Sequence, residues 1–589
     1  MKRIFKVLGI IISLYLCSCN TGSDRGALNL DFENKDSKNS SLPRSWFTGG
    51  EGYLFSLDNR EKHKGKFSLK MEMTDNKNDS FGAFSNTLPI ETFAGKNVEY
   101  KGWIKTKDVK NGFAGLWFRV GGEDEEVLGF DNMYDRGLKD DNNWTQVSIK
   151  MDVSKDAVSI VFGGLLVGTG IVWFDNFELY VNGEKYIDIF ESAPPKALSR
   201  KEIAALRKYI YPLRTYEPDG GDTKDLSILD ELIGSSSVVA LGEVSHGSSE
   251  IFKMKNRIIQ YLATNNSFDI FSIEANMPEA YKLNDYTIRG EGNPKKLIAG
   301  MYFWTWKTEE VLNMVEWMRT FNQPEQRITF TGFDMQFFDG AINELSNAFE
   351  SNEDVKKKID DLKKKLNKIK RKSEQYYGLI HINDIEQQEL DTIITFLQNR
   401  IGTSSFQNSE KNWLQQNIVI IQQYLRGNNH SWRDKCMADN FMWIKEHNPD
   451  SKFIIWAHNR HIMKTGHKQG FYLARKLGDD YTTFGFTFYD GSFTATGSKG
   501  LTSYKSLQAN PGTLEYLLNQ LDESIFILDL KKLKQDNNKD TKWLTKQVEY
   551  RCVGSGGGEG YSGEFDKRKI SDEFDYLIFI KTSSPSELL

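Results

Sequence analysis

The sequence predicts a multidomain protein: an N-terminal all-β sandwich, then an α/β domain with a mostly parallel sheet and a helical insertion. Three observations predict it. The chain has 589 residues, too many for one ordinary core. Up to about residue 183, short runs alternate apolar with polar residues and helical spacing is missing. Beyond about residue 206, short β-branched apolar runs alternate with segments of helical period, the pattern of strands joined by helical crossovers.

The N-terminus comes first. Lys2, Arg3 and Lys6 precede "VLGIIISLYL", which is too short to span a bilayer, since spanning takes about 20 apolar residues. It reads as the core of a signal peptide over residues 1–18. The following "LCSC" resembles a bacterial lipobox, with Leu16 three residues before Cys19. The resemblance implies cleavage before Cys19 and acylation of its thiol and new amino group. Residues 19–27 are then a polar tether, and the chain is expected in the cell envelope with a lipid membrane as partner. Removal of Cys17 leaves Cys436 and Cys552, too few for a disulfide framework. Net charge is −5, so no basic field points to nucleic acid.

Residues 28–183 hold the runs "FSLKMEMT", "VEYKGWIKT", "WTQVSIKMDV" and "GIVWFDNFELYVNG". Gly, Asn and Asp clusters separate them, as in a two-sheet sandwich. "LNLDFE" and "GIVWFDNFELY" resemble the first and last strands of galactose-binding-like sandwiches, the fold of many carbohydrate-binding modules. The resemblance leaves two roles open, a glycan-binding module and a plain spacer, and it makes Glu33 and Asp175 candidates for a structural calcium. A linker follows over residues 184–205, which includes "ESAPPKALSR".

In residues 206–589, "SSVVALG", "FDIFSIEA", "RITFTGFD", "SKFIIWAH" and "DDYTTFGFTF" read as strands, with helices such as "EIFKMKNRIIQYLA" between them. An insertion at about 341–446 carries three apolar seams: Val355, Ile359, Leu362, Leu366 and Ile369; Leu390, Ile393, Leu397 and Ile401; Ile418, Ile421 and Leu425. Its lysines read as a solvated face.

The chemistry gathers where strands end. "VVALGEVSH" ends in Glu243 and His246, "FDIFSIEA" in Glu274, "RITFTGFD" in Asp334, and "FIIWAHNRH" in His458 and His461. Ligands of open α/β sheets bind at the carboxyl ends of strands, so four such endings point to one site. Gly242 and Gly247 bracket the first ending and permit close backbone approach. Ser245 is a poor nucleophile candidate, because the segment has one residue too many for a G-x-S-x-G elbow.

"VVALGEVSHG", "SIEAN", "WMRTFN", "ITFTGFDMQ", "CMADNFMWI", "FIIWAHNRHIMK" and "EFDYLIFIKTSS", in this order, resemble the erythromycin esterase family over roughly residues 205–585. The resemblance implies an α/β core with a helical cap, hydrolysis of a macrolactone or another carboxylic ester, and no metal or other cofactor. Glu243 and His246 match the family's Gly-Glu-x-x-His motif, Glu274 the acid of the next strand, and His458 and His461 its Ala-His-Asn-x-His motif. The family's usual Arg in the first helix is Lys255 here, with Arg257 close by.

The expected catalytic set is therefore His246, Glu274, Glu243 and His458, with Lys255, Arg257, Asp334 and His461 orienting. His246 activates water with Glu243 or Glu274 behind it, or Glu274 is the base and His246 the electrophile; His458 donates to the oxyanion or the leaving group. With a macrolide as substrate, the activity would confer resistance. Two rivals stand beside this reading. One is a metal hydrolase built on His246, His458, His461, Glu274 and Asp334. The other is a non-enzymatic, glycan-binding envelope lipoprotein.

Overall fold

The computed structural model describes residues 28–36, 39–73, 81–122, 126–186, 194–218, 221–375, 380, 382–427, 430–557 and 564–589. The signal peptide, Cys19 and the tether lie outside the described residues, as do residues 187–193 of the linker. The chain divides into two compact units, Asn20–Ser192 and Ala193–Leu589. Among the described residues no helix is long and apolar enough to cross a membrane.

The first unit is antiparallel β with a short helical turn at Ile90–Phe93. Its strands are β1 (Phe47–Gly49), β2 (Tyr53–Asp58), β3 (Ser68–Met73), β4 (Phe81–Thr87), β5 (Asn97–Gly121), β6 (Val127–Asp131), β7 (Leu138–Asp152), β8 (Ser159–Val181) and β9 (Glu184–Lys185). One ladder joins them: β8 pairs with β3 and β4 on one edge and β5 on the other, and β5 carries β6 and β7. The layers are thus a single sheet folded back on itself rather than two separate sheets.

The aromatic core establishes the fold-back. Phe162 and Phe177 stand 15 positions apart in β8, about 50 Å in a straight strand. Yet their ring centroids lie 5.1 Å and 5.2 Å from that of Tyr100. The bend falls at Gly168 (φ +83°) and Gly170 (φ +116°), where a Cβ would strike the carbonyl oxygens of Lys110 and Asp108. Only glycine adopts both the angle and the approach.

The two acids read as calcium candidates fasten a loop instead. Asp175 Oδ2 accepts from the backbone N–H of His63 (2.7 Å) and Lys64 (3.0 Å). Glu33 Oε1 accepts from those of Lys66 (2.6 Å) and Phe67 (3.1 Å).

The second unit is built on β10 (Ile210–Pro212), β11 (Val238–Leu241), β12 (Ile270–Asn276), β13 (Thr329–Asp334), β14 (Phe453–Trp456), β15 (Tyr481–Gly497), β16 (Gly500–Lys505), β17 (Ile525–Asp529) and β20 (Tyr576–Ser583), with a separate pair β18 (Val548–Arg551) and β19 (Phe565–Arg568). The order is β10-β17-β20-β15-β11-β14-β12-β13. From β20 to β13 the pairs are parallel, but β17 runs antiparallel to both its neighbours and β16 forms a hairpin on β15. The sheet is therefore mixed, and the expectation of a mostly parallel sheet holds only for its central run.

Strands β11 and β14 are apolar throughout because both their faces are covered. Val238 and Ala240 of β11 pack into one core, Val239 and Leu241 into the other, as the two-residue period of a strand requires. The second core takes α1 (Ser249–Asn265) and α2 (Glu309–Phe321). The first takes the insertion: α3 (Asp339–Ala348), α4 (Glu353–Gln375), α5 (Asp384–Gly402), α6 (Asn408–Leu425) and α7 (His430–His447). The three predicted apolar seams are buried in it. Each such Leu or Ile contributes about 1.5–3 kcal/mol by leaving water. Several lysines opposite the seam of α4 make exposed pairs with α5, such as Lys365 with Glu389 at 2.6 Å; such pairs contribute about 0–1 kcal/mol each. Packing of the seams thus outweighs the ion pairs in holding the insertion to the sheet.

Candidate active site

After Leu241 the chain leaves the sheet through a loop held on three sides. Val244 O accepts from the N–H groups of Val553 and Gly554, both at 3.0 Å. His246 N–H donates to Gly554 O (3.1 Å), and Gly247 O accepts from Thr494 and Ser586, both at 2.9 Å. Gly242 and Gly247 serve these close approaches. A Cβ would lie 2.1 Å from Asn459 Oδ1 at Gly242 and 2.0 Å from Thr494 O at Gly247. Ser245 is fully buried, and its Oγ accepts from Gly247 N–H (3.2 Å), so it is not presented as a nucleophile.

Glu243 is fully buried and triply bonded. Its Oε1 lies 2.7 Å from His246 Nδ1, and its Oε2 accepts from Lys255 Nζ (2.7 Å) and Trp456 Nε1 (2.6 Å). Burial alone would raise the Glu243 carboxyl, but Lys255 and His246 outweigh it and hold the group below its usual range. It is a buried carboxylate with its partners in place, as such a charge requires. Burial pushes Lys255 down to about 8, and Glu243 resists. Its Nζ also sits 4.1 Å from the centroid of the Trp456 ring.

His246 receives the benefit of this arrangement. Its Nδ1–H donates to a fixed carboxylate, so Nε2 carries the free lone pair. The side chain keeps 14% of its surface exposed. Its ring centroid lies 5.0 Å from that of His458 and 6.3 Å, edge to face, from that of Trp306. Trp306 is buried and Trp304 half-buried.

His458 caps the helical turn α8 (Asn459–Ile462): Nδ1 accepts from Arg460 N–H at 3.1 Å. Nε2 therefore carries the proton and faces Val244 O at 3.3 Å, a carbonyl that two closer N–H groups already occupy. Burial, with His246 and His461 nearby, holds His458 well below the usual imidazole range. It is a neutral imidazole with a weakly engaged N–H.

A second charge cluster adjoins. Glu274 Oε2 accepts from His458 N–H (2.9 Å), and its Oε1 meets Arg433 Nη2 (2.7 Å) and His461 Nε2 (3.2 Å). Burial would raise Glu274; His461 and Arg433 hold it well below the carboxylate range. Asp334 is fully buried and takes Arg433 Nη2 (2.8 Å), Gln336 Nε2 (2.7 Å) and Met335 N–H (2.8 Å). His461 Nδ1 lies 2.6 Å from Asp434 Oδ1, a buried acid whose Oδ2 meets Lys468 Nζ at 3.2 Å. Against burial, Glu274 and Asp434 raise His461 to about 9.

Seven of the eight residues named from the sequence thus converge. Arg257 does not: it is buried against Asp225 (2.6 Å) and Thr215 O (3.0 Å), where it ties α1 to the preceding loop. Lys255 bears on Glu243 and, being fully buried, is closed to a substrate. The two acids of the metal reading are turned onto a fixed cation, since Arg433 occupies Glu274 and Asp334. Among the described residues no three acids, histidines or cysteines form a group able to hold a metal.

Arg433, Asp434 and Trp456 were not singled out from the sequence. Asp434 had a signal. It continues the buried stripe Met437, Phe441 and Ile444 of α7 by one helical step, so a charge stood on an apolar face.

Comparison with known proteins bears on the second unit. The erythromycin esterase family model matches residues 263–583. The erythromycin esterase type II of Escherichia coli is 25% identical over 434 residues, 64% of this chain and 97% of that relative. A crystal structure of a Bacillus cereus protein superimposes with a TM-score of 0.57 at 25% identity, covering 66% of this chain and 98% of that one. A mutant of the erythromycin esterase EreC in its open conformation gives 0.51 at 16% identity, covering 64% and 98%, and shares the fold. With its family match over more than half its length, this chain belongs to the erythromycin esterase family.

Proposed function

We propose that this protein hydrolyses a lactone or another carboxylic ester with a water nucleophile. The observation that carries the reading is the buried Glu243–His246 pair, with a free imidazole lone pair at a partly exposed ring. His246 Nε2 takes a proton from water as the oxygen attacks the carbonyl carbon. Glu243 holds the tautomer and stabilises the imidazolium that forms. Of the two bases left open by the sequence, this geometry favours His246, because both oxygens of Glu274 are committed to His458 N–H, Arg433 and His461. His458 Nε2–H donates to the oxyanion, and its neutrality suits a donor that must not lose its proton to the active-site base. A water nucleophile activated by imidazole calls for no metal.

The name of the Escherichia coli relative supports a macrolide lactone as the first substrate to try. The test is incubation of the purified chain with erythromycin A, followed by mass measurement for the gain of one water, with His246→Ala as control. Turnover unchanged in that variant overturns the mechanism. Loss of turnover on chelation, with recovery on adding zinc, would favour the metal reading. Glycan capture without turnover of any ester would favour a binding role. The resemblance of Leu16–Cys19 to a lipobox supports a membrane-anchored place in the cell envelope. Cys19→Ala is expected to move the chain from the membrane to the soluble fraction.

A further inference from the structure

Hydrolysis of an alkyl ester or lactone needs a proton for the departing alkoxide; the imidazolium of His246 is one source of it, and the adjoining charge cluster holds a second. Two consecutive residues of α7, in the helical insertion, enter the site. Arg433 bonds Glu274 and Asp334 and places Nη1 3.2 Å from His461 Nε2. Asp434, fully buried, receives His461 Nδ1 at 2.6 Å and Gln469 N–H at 3.0 Å. The groups facing His461 are Glu274 of β12, Arg433 and Asp434 of α7, Lys468 behind Asp434, and His458 of its own turn, 6.5 Å away between ring centroids. With Nδ1 at Asp434, Nε2 lies 3.2 Å from Glu274 Oε1, so each nitrogen of the ring has a carboxylate beside it, at a ring with 13% of its surface exposed.

We propose that Asp434 is a positioning residue for the hydrolysis, holding His461 so that its Nε2–H protonates the leaving oxygen. The inference rests on the hydrolase reading above. In this step the bond between the carbonyl carbon and the leaving oxygen breaks, its electron pair goes to that oxygen, and the oxygen takes the proton of His461 Nε2. Solvent then reprotonates His461, and the proton that His246 took from the attacking water returns to solvent. The helical insertion is thereby part of the catalytic apparatus: it supplies the carboxylate that orients the acid. The site becomes two opposed carboxylate–histidine pairs, Glu243–His246 for removing a proton and Asp434–His461 for giving one. Opposed environments for two titratable groups are how one site runs both halves of such chemistry.

The test compares Asp434→Asn with wild type in the full chain. Erythromycin A, with a poorly departing alkoxide, and a 4-nitrophenyl ester, whose leaving group needs no proton, are the substrates. Asp434→Asn is expected to lower kcat on the lactone about 100-fold with KM within a factor of three, in the range of a lost general acid. The loss on the activated ester should be at least tenfold smaller, and Asp434→Glu should recover part of the lactone activity. Equal losses on both substrates mean a merely structural role and overturn the proposal. A readout free of turnover accompanies it: the 15N titration of His461 in histidine-labelled protein. Asp434→Asn is expected to lower its midpoint by at least one pH unit, and an unchanged midpoint overturns the proposal. If wild type hydrolyses neither substrate, the hydrolase reading fails, while the titration still decides whether Asp434 controls His461.

Discussion

One carboxylate oxygen of Glu243 lies 2.7 Å from Nδ1 of His246, and the other lies 2.7 Å from Nζ of Lys255. The acid is therefore shared between a partly exposed imidazole and a buried cation. The cation keeps the acid ionised, and the ionised acid keeps the imidazole in one tautomer. The order of dependence runs Lys255 to Glu243 to His246, and each step can be broken separately.

His246→Ala is expected to abolish ester hydrolysis, with a loss of at least 10²–10⁴ for a missing general base. The ring keeps a small exposed area and its Nε2 serves no packing role, so the fold should survive. Circular dichroism alongside the erythromycin A assay checks both halves. Glu243→Gln keeps the volume but loses the charge, and should cost a comparable factor in kcat.

Lys255→Met leaves Glu243 buried without its main cation. Breaking one partner out of a buried pair costs about 3–5 kcal/mol. A fall in Tm and a rise in the Glu243 carboxyl are expected together, visible as reduced activity on the acid side of the pH profile. Lys255→Arg restores the family's usual residue and should recover most of the stability. Equal stability for Lys255→Met and wild type would show that the pair is not needed to keep Glu243 ionised.

The pH dependence follows from His461, which is raised to about 9 from an ordinary 6.5. Its folded-state pKa lies above its unfolded value. Its contribution to stability is therefore complete below about 6.5 and is lost as pH rises through about 9. As the proposed acid it must also be protonated to act, so kcat should fall across the same range. A pH–rate profile on erythromycin A from pH 6 to 10, with melts at each pH, checks both. In Asp434→Asn the basic limb should move to lower pH.

Gly247→Ala drives a methyl group to 2.0 Å from the backbone oxygen of Thr494, which cannot move aside as a flexible side chain would. The main-chain bonds on both sides of Gly247 must stretch, at about 1–3 kcal/mol for an overpacked site. Because His246 is the preceding residue, kcat should fall further than Tm alone would suggest. Comparison with Gly556→Ala, at a glycine with open space around it, separates this clash from a general effect of losing glycine.

Much of this was legible in the sequence because it depends on local order. The two-residue alternation of Val238 to Leu241 and the helical seams of the insertion follow from periodicity, and both are buried as their pattern requires. The endings at Glu243, Glu274, Asp334 and His458 follow from where apolar runs stop. Periodicity is silent on the direction of neighbouring strands. The antiparallel β17 between β10 and β20 therefore came only from the sheet, as did the fold-back of β8 that closes one ladder into two layers.

By itself, the sequence determined the residue types of the site, their order and the end of the sheet that gathers them. Only the tertiary structure decided their partners. Arg257, placed beside the site by its proximity to Lys255, turns away to Asp225. Arg433 and Asp434, about 160 residues after Glu274, come back to it through the insertion. The physical reason is that a buried charge takes whichever opposite charge packing brings within hydrogen-bond reach, and spacing along the chain does not set that distance.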